Sequence, residues 1–343
     1  MTSTTTPSAT LTMLDRAEGA LWGQACGDAF GMPNSFLRLP TWRLTMQPGP
    51  PDSPYHAGYP AGRITDDTEQ AQSLTGALLA GEGTLDATLV ADELRAWLHR
   101  VGGPDCLAVG PSTKIAIANL ERGVPVEEAG VRGVTNGAPM RVSVVGVWAA
   151  LRQFTFQQLL DDVRTACVPT HNTSVAISGA AAVAAAVWAG MQGMGWPETL
   201  STACTAAREG ERMGRWVYAP SVAARIEQAC AVASSRLDEP QAARVISELV
   251  GMGEATAESV PAAFACAHYA GGNPEIAIRL AANAVGDTDT VAAMAGAICG
   301  ARTGPDGLPA AWRDLVAEVN RLDVSGWAAS LVTPGTPTAI SGT

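Results

Sequence analysis

The chain has 343 residues and a formal net charge of −11, with 22 Lys and Arg against 33 Asp and Glu. That length admits one large domain or two ordinary ones, and the acidic balance excludes a nucleic-acid-binding surface, which needs clustered Lys and Arg. A 47% hydrophobic content with only 5% aromatic residues predicts a core of Ala, Val, Leu and Ile. Such a core favours close-packed helices, because alanine is the best helix former and lets helix axes approach. Lys114 is the single lysine, which excludes a P-loop and argues against Schiff-base chemistry. The seven cysteines (Cys26, Cys106, Cys167, Cys204, Cys230, Cys266 and Cys299) form no C-x-x-C pair. An odd number without a framework points to a reducing cytoplasm. Met1 to Thr10 lacks the basic and apolar regions of a secretory signal. The Ala-dominated run Val175 to Gly190 is expected to fall short of a membrane span.

In chain order, residues 1–11 and 333–343 are rich in Ser, Thr, Pro and Gly and are expected to be disordered tails. The region between them reads as helix after helix, with almost no period-2 alternation. Leu14 to Ala25 is the first. Pro33 to Gly62, rich in Pro and Gly and carrying Tyr55, His56 and Tyr59, is a loop long enough to cover a site. Glu69–Ala80, Leu85–Arg100 and Ser112–Leu120 follow. Gly133–Arg141 is irregular. Thr155 with Gln158 has the capping-box spacing and opens a helix to about Cys167. Ser174–Gly190, Pro197–Glu209, Ala219–Ser234 and Pro240–Val250 continue the pattern. Pro274 opens a helix to about Val285; Asp289–Ala301 and Pro309–Val319 are the last expected helices. No repeat or linker divides the chain, so residues 12–332 are expected to form one all-α domain.

Two acidic clusters, each opening an Ala-rich run, carry the chemistry: Thr65-Asp66-Asp67-Thr68 and Gly286-Asp287-Thr288-Asp289-Thr290. Asp and Thr are favoured helix caps, but each cluster holds more carboxylates than a cap uses. Carboxylates packed so densely repel one another unless a cation lies between them, and hard divalent ions take oxygen ligands. Four aspartates and several hydroxyls from two distant segments suit a two-metal site. Asp287 to Val291 also fits the D-x-D-x-T/V nucleophile motif of haloacid-dehalogenase-type phosphatases. That motif should follow a buried strand near the N-terminus, whereas here it follows an Ala-rich helix near the C-terminus. An EF-hand fails on spacing. Gly23, Gly27 and Gly31, with Asp28 beside the middle one, leave a bare helix face for close approach of a backbone or a ligand.

The run Gly23-Gln24-Ala25-Cys26-Gly27-Asp28-Ala29-Phe30-Gly31-Met32-Pro33 resembles the opening of the ADP-ribosylglycohydrolase family, and the two acidic clusters are similar to its two metal motifs. Thr135-Asn136-Gly137-Ala138-Pro139-Met140-Arg141 resembles the family's T-N-G-x-x-M-R loop. Thr170-His171 with Ala176 and Gly179-Ala180, and Glu258-Ser259-Val260-Pro261-Ala262-Ala263, match further segments in family order across roughly residues 14–325.

The resemblance implies an all-α fold with a central cleft binding two Mg²⁺ ions, Mn²⁺ being an alternative. The ligands would be Thr65, Asp66, Asp67, Asp287, Asp289 and Thr290. It implies hydrolysis of a glycosidic bond at the anomeric carbon of an ADP-ribosyl group, free or protein-linked, with Asp67 and Asp289 in the catalytic centre. Asn34, Asn136, Gly137, Met140, Arg141 and His171 would face the substrate. Two departures bear on proton transfer: Asn34 stands where the family often has Glu, and Ala108 precedes Val109-Gly110 where some members carry a carboxylate. Asp105, three residues upstream, is the substitute the sequence offers. Two other readings stay open, a hydrolase of small free N-ribosides such as nucleosides and a catalytically silent ADP-ribose-binding module. Arg141 fits a phosphate contact or a local carboxylate pair, and His171 a ligand contact or a structural hydrogen bond. His268, Trp216 and Tyr218 read as packing residues.

Overall fold

Thr12 opens the first helix with a capping box: its hydroxyl accepts the Asp15 N–H at 3.1 Å, and the Asp15 carboxylate accepts the Thr12 N–H at 2.7 Å. The computed structural model describes residues 11–38, 42–233 and 236–332; the expected tails, Leu11 apart, lie outside them, as does Ser234. Sixteen α-helices order these residues: α1 (Met13–Gly31), α2 (Asp66–Ala80), α3 (Ala87–Arg100), α4 (Pro111–Glu121), α5 (Val126–Ala129), α6 (Ser143–Leu151), α7 (Phe156–His171), α8 (Ser174–Met191), α9 (Trp196–Gly210), α10 (Val222–Val232), α11 (Glu239–Val245), α12 (Thr256–Tyr269), α13 (Pro274–Ala282), α14 (Thr288–Thr303), α15 (Ala310–Asn320) and α16 (Val324–Val332). No strand is present among the described residues, only isolated bridges between Thr135 and Ala255 and between Thr173 and Arg215. The chain is one compact all-α domain, as expected.

The glycine face of α1 positions everything else. A Cβ at Gly19, Gly23, Gly27 or Gly31 would fall 2.3, 2.1, 2.1 or 2.3 Å from the carbonyl oxygen of Gly300, Gly296, Ala292 or Thr288. The pairs run in opposite order, so α1 and α14 lie antiparallel, backbone against backbone. Any side chain there would force them apart. This contact carries α1 six residues beyond the expected end at Ala25, because packing on α14 outweighs the low helix propensity of glycine.

Four helices, α5, α6, α12 and α16, lie outside the helix ranges read from the sequence. α6 (SVVGVWAAL) is buried on nearly every face, and a helix apolar all round shows no amphipathic period. α16 is short and follows directly on α15. α8 corrects another expectation. At 18 residues and mean hydropathy 1.7 it is long and apolar enough to cross a membrane, but 94% of it lies inside the fold, where its alanines let α6 and α9 pack closely.

A candidate acidic active-site cleft

Asp28, one turn before the end of α1, builds the first half of the site. Its buried carboxylate accepts the backbone N–H of Thr65 (2.9 Å) and of Thr68 (3.2 Å) and both their hydroxyls (2.8 and 2.5 Å). It thereby satisfies donors that a helix N-terminus leaves free and clamps the start of α2 onto α1. Burial pushes the Asp28 carboxyl up to about 6, against the downward pull of the bonds from Thr68 and Thr65. Asp66 and Asp67 then occupy the first turn of α2. The Asp66 carboxylate accepts from Gln70 Nε2 at 3.0 Å. Asp67 Oδ2 lies 3.0 Å from the Thr65 hydroxyl, whose single proton it shares with Asp28, while its Oδ1 is buried with no hydrogen-bond partner among the described residues.

The second half forms where Gly286, at φ 139°, turns the chain into α14. A side chain at Gly286 would meet the Met252 carbonyl at 2.2 Å, so only glycine fits. The Asp287 N–H donates to that carbonyl at 2.6 Å. Asn136 Nδ2 donates to Asp287 Oδ2 at 2.6 Å, and the Ser35 hydroxyl donates to Asp289 Oδ1 at 2.7 Å. The Thr290 hydroxyl reaches Asp67 Oδ2 at 3.4 Å and so joins the two clusters. His56 Nε2 lies 3.7 Å from Asp289 Oδ2. Burial holds this imidazole down at about 4, so it is neutral near pH 7.

Burial first, and mutual repulsion second, push the carboxyls of Asp66, Asp67 and Asp287 well above the usual range; burial also raises Asp289. Among the described residues no Lys or Arg pairs with any of the four. Nor do three acidic, His or Cys side chains already converge as a metal cage. Three of these carboxylates, Asp66, Asp287 and Asp289, line a cavity of about 110 Å³; Asp67 and Thr65 stand outside the lining. Asp66, Asp287, Asp289 and Thr290 face it on one side, and Asn136, Gly137 and Met140 on another. Phe36, Tyr55, Leu107 and Val109 give it an apolar rim, and Glu254 completes the wall. Phe36 and Tyr55 meet edge to face with ring centroids 5.5 Å apart. Among the described residues no Lys or Arg lines the cavity.

The remaining candidates lie elsewhere. Asn34 is buried and its amide donates to the Ala282 carbonyl at 2.9 Å; the neighbouring Ser35 and Phe36 line the cavity instead. Asp105 is exposed at the end of a 3₁₀ turn, outside the lining. Arg141 meets neither a phosphate-accessible surface nor a carboxylate. It is fully buried and donates to Gln70 Oε1 (2.8 Å), the Thr170 hydroxyl (2.7 Å) and the Ala166 carbonyl (3.1 Å). Burial pulls its guanidinium down to about 10.

His171 is likewise buried, with Nδ1 2.8 Å from the Thr170 hydroxyl and Nε2 3.0 Å from that of Thr135. Each ring nitrogen of the neutral imidazole thus faces a hydroxyl, one as donor and the other as acceptor. Arg141 therefore braces the cleft from behind, through Gln70 to Asp66 and through His171 to Thr135. His268 accepts the Trp196 indole N–H at 2.9 Å, a packing role as expected. Trp216 and Tyr218 are not packed: they are 73% and 91% exposed on the segment after α9. Sequence reasoning noticed Asp28 and His56 but gave neither a role at the site. It gave no role to Ser35, which directly follows Asn34, and did not single out Glu254, four residues before the matched Glu258–Ala263 segment.

The chain belongs to the ADP-ribosylglycohydrolase family, whose profile matches residues 9–337. It is 35% identical over 323 residues to an Escherichia coli protein, YegU, described as uncharacterised, covering 92% of this chain and 96% of that one. The ADP-ribosylarginine hydrolase Tri1 of Pseudomonas putida is 28% identical over 314 residues, covering 89% of this chain and 75% of its own. Human ADP-ribosylhydrolase ARH3 is 27% identical over 352 residues, covering 91% and 92%. A solved chain described as an ADP-ribosylglycohydrolase-related protein complex shares the fold with a TM-score of 0.68 at 24% identity, covering 93% of this chain and 98% of that one.

Proposed function

We propose that the protein is a Mg²⁺-dependent hydrolase that cleaves the glycosidic bond of an ADP-ribosyl group. The observation that carries this reading is the meeting of two acidic helix starts, at α2 and α14, in one cavity with no protein cation to neutralise them. The unpartnered Asp67 Oδ1 fits a cation site, because a buried carboxylate oxygen without a donor or counter-charge is costly. Asp66, Asp67, Asp287 and Asp289, with Thr65 and Thr290, would hold two Mg²⁺ ions, with Mn²⁺ an alternative. When bound, the ions supply neutralising charge and a Lewis-acid grip on ribose hydroxyls.

The chain's own groups do the rest. Asn136 and Ser35 fix the Asp287 and Asp289 carboxylates, Asp28 fixes the start of α2, and Phe36, Tyr55 and Leu107 supply an apolar lining for the bound group. The names of the Tri1 and ARH3 relatives support an ADP-ribosyl substrate. The seven free cysteines support work in a reducing cytoplasm.

One observation favours a second reading, hydrolysis of small free N-ribosides: a cavity without Lys or Arg offers a diphosphate no side-chain cation. The test is release of ribose or ADP-ribose from ADP-ribosylarginine, O-linked ADP-ribose and free nucleosides, with Mg²⁺ or with excess chelator. Metal-dependent release from the ADP-ribosyl substrates alone supports the first reading, and from nucleosides alone the second. Binding of ADP-ribose with no turnover of any substrate would leave a silent binding module.

A further inference from the structure

We propose that Glu254 is the catalytic base of this hydrolase, the carboxylate that takes a proton from the attacking water. The inference rests on the hydrolase reading above and supplies the proton-transfer group that the sequence left open at Asn34 and Ala108.

Three observations carry it. Glu254 lines the same cavity as Asp66, Asp287 and Asp289, and among the described residues its carboxylate forms no hydrogen bond or ion pair. The other carboxylates are engaged elsewhere or lie outside: Glu69 is held by Arg63 (2.6 Å) and the Trp97 indole (3.0 Å), and Asp105 is not in the lining. The backbone around Glu254 is bolted to the metal-ligand candidate Asp287. Met252 O accepts the Asp287 N–H at 2.6 Å, and Glu254 O accepts the Asn136 N–H at 2.9 Å. The Asn136 side chain closes the bracket on Asp287 Oδ2 at 2.6 Å. A catalytic carboxylate needs such fixed placement with its oxygens left free for substrate. Burial, and then the Asp287 charge, raise the Glu254 carboxyl, which makes it a stronger base than a solvated glutamate.

The step balances on one residue. As the water oxygen bonds to the anomeric carbon, Glu254 takes one water proton. The bond from that carbon to nitrogen or oxygen breaks, and its electron pair leaves with the departing atom. Glu254 then releases its proton to solvent, from which the departing atom is protonated.

The test is Glu254→Gln in the full chain, which removes the base while keeping size and polarity. The expected result is a kcat lower by ~10²–10⁴-fold on every substrate the wild type cleaves. Affinity for ADP-ribose by calorimetry and the gain in Tm on adding Mg²⁺ should stay at wild-type values. Glu254→Asp should recover part of the loss. An active wild type whose Glu254→Gln form keeps kcat within a few-fold overturns the proposal alone. So does a Glu254→Gln loss that appears wholly in KM or in weaker ADP-ribose binding, since that marks a recognition residue. A wild type that turns over nothing overturns the hydrolase reading and the proposal together.

Discussion

The hydroxyl of Thr68 donates to the carboxylate of Asp28 across 2.5 Å, and this contact joins the end of α1 to the start of α2. Asp28 is not in the cavity lining, yet the direction in which Asp66 and Asp67 leave their helix depends on it. Asp28→Ala strands the backbone N–H groups of Thr65 and Thr68 and the Thr68 hydroxyl in a buried pocket, the Thr65 hydroxyl keeping Asp67 as acceptor. The expected cost is about 2–4 kcal/mol of stability, read from urea denaturation, because unsatisfied buried donors lose their full desolvation energy. A variant as stable as wild type would show that water replaces the carboxylate.

Without metal, the acidic cluster should make stability fall as pH rises. Asp28 titrates at about 6 in the fold against an ordinary 3.8, and Asp66, Asp67 and Asp287 are shifted the same way. The folded state therefore binds protons more tightly than the unfolded chain. For Asp28 the stabilisation is complete below about pH 4 and is lost as pH climbs through 6, and the three others act in the same direction. Thermal melts in chelator across this range should show the decline where acid unfolding elsewhere in the chain does not mask it; a curve rising with pH throughout contradicts the assignment.

Adding Mg²⁺ at neutral pH should raise Tm, since a ligand bound only by the folded state stabilises it by mass action. Asp289→Ala should abolish that gain. A wild-type Tm that does not move across a Mg²⁺ titration would remove the ions from the site.

Gly27→Ala places a methyl 2.1 Å from the Ala292 carbonyl oxygen. Helix propensity alone would favour alanine, so the sign of the effect isolates the close contact. Overpacking should win, by about 1–3 kcal/mol. It should also displace Gly31 from Asp289 and weaken the Mg²⁺-dependent gain. A stabilised variant would mean that α1 and α14 separate at no cost.

Arg141→Lys keeps the charge but not the fork that reaches Gln70, Thr170 and Ala166 together. A lysine there is expected to lose roughly 1.5–3 kcal/mol through the forfeited charged hydrogen bonds. Activity should fall as well, because Gln70 also holds Asp66. Wild-type stability in chemical denaturation would show that the three acceptors find other donors.

The sequence made the helical class legible through Ala-rich runs and caps such as Thr155 with Gln158, which the structure reproduces. The two acidic clusters were legible because chemistry concentrates them in short segments, and both stand in one cavity. What lay hidden depends on distant contacts. Ser35 and Glu254 stand beside matched segments, yet they acquire a role only when the loop after α1 and the turn before α12 fold against Asp289 and Asp287. Arg141 read as a possible phosphate contact because an isolated arginine in a loop looks solvent-facing; burial under α2 and α7 decides otherwise. Trp216 and Tyr218 read as packing because aromatic residues usually bury, and neither does.

The pairing of Gly23 with Gly296 also sets a timetable for the newborn chain. At translation rates of ~5–20 residues per second, α14 emerges roughly 15–50 s after α1 has been made. Throughout that interval the first helix lacks its main packing partner, and the first acidic cluster has no second half. Completion of the cleft is therefore among the last events of biosynthesis, and a chain that stops before Gly304 gains neither its central helix pair nor its chemistry.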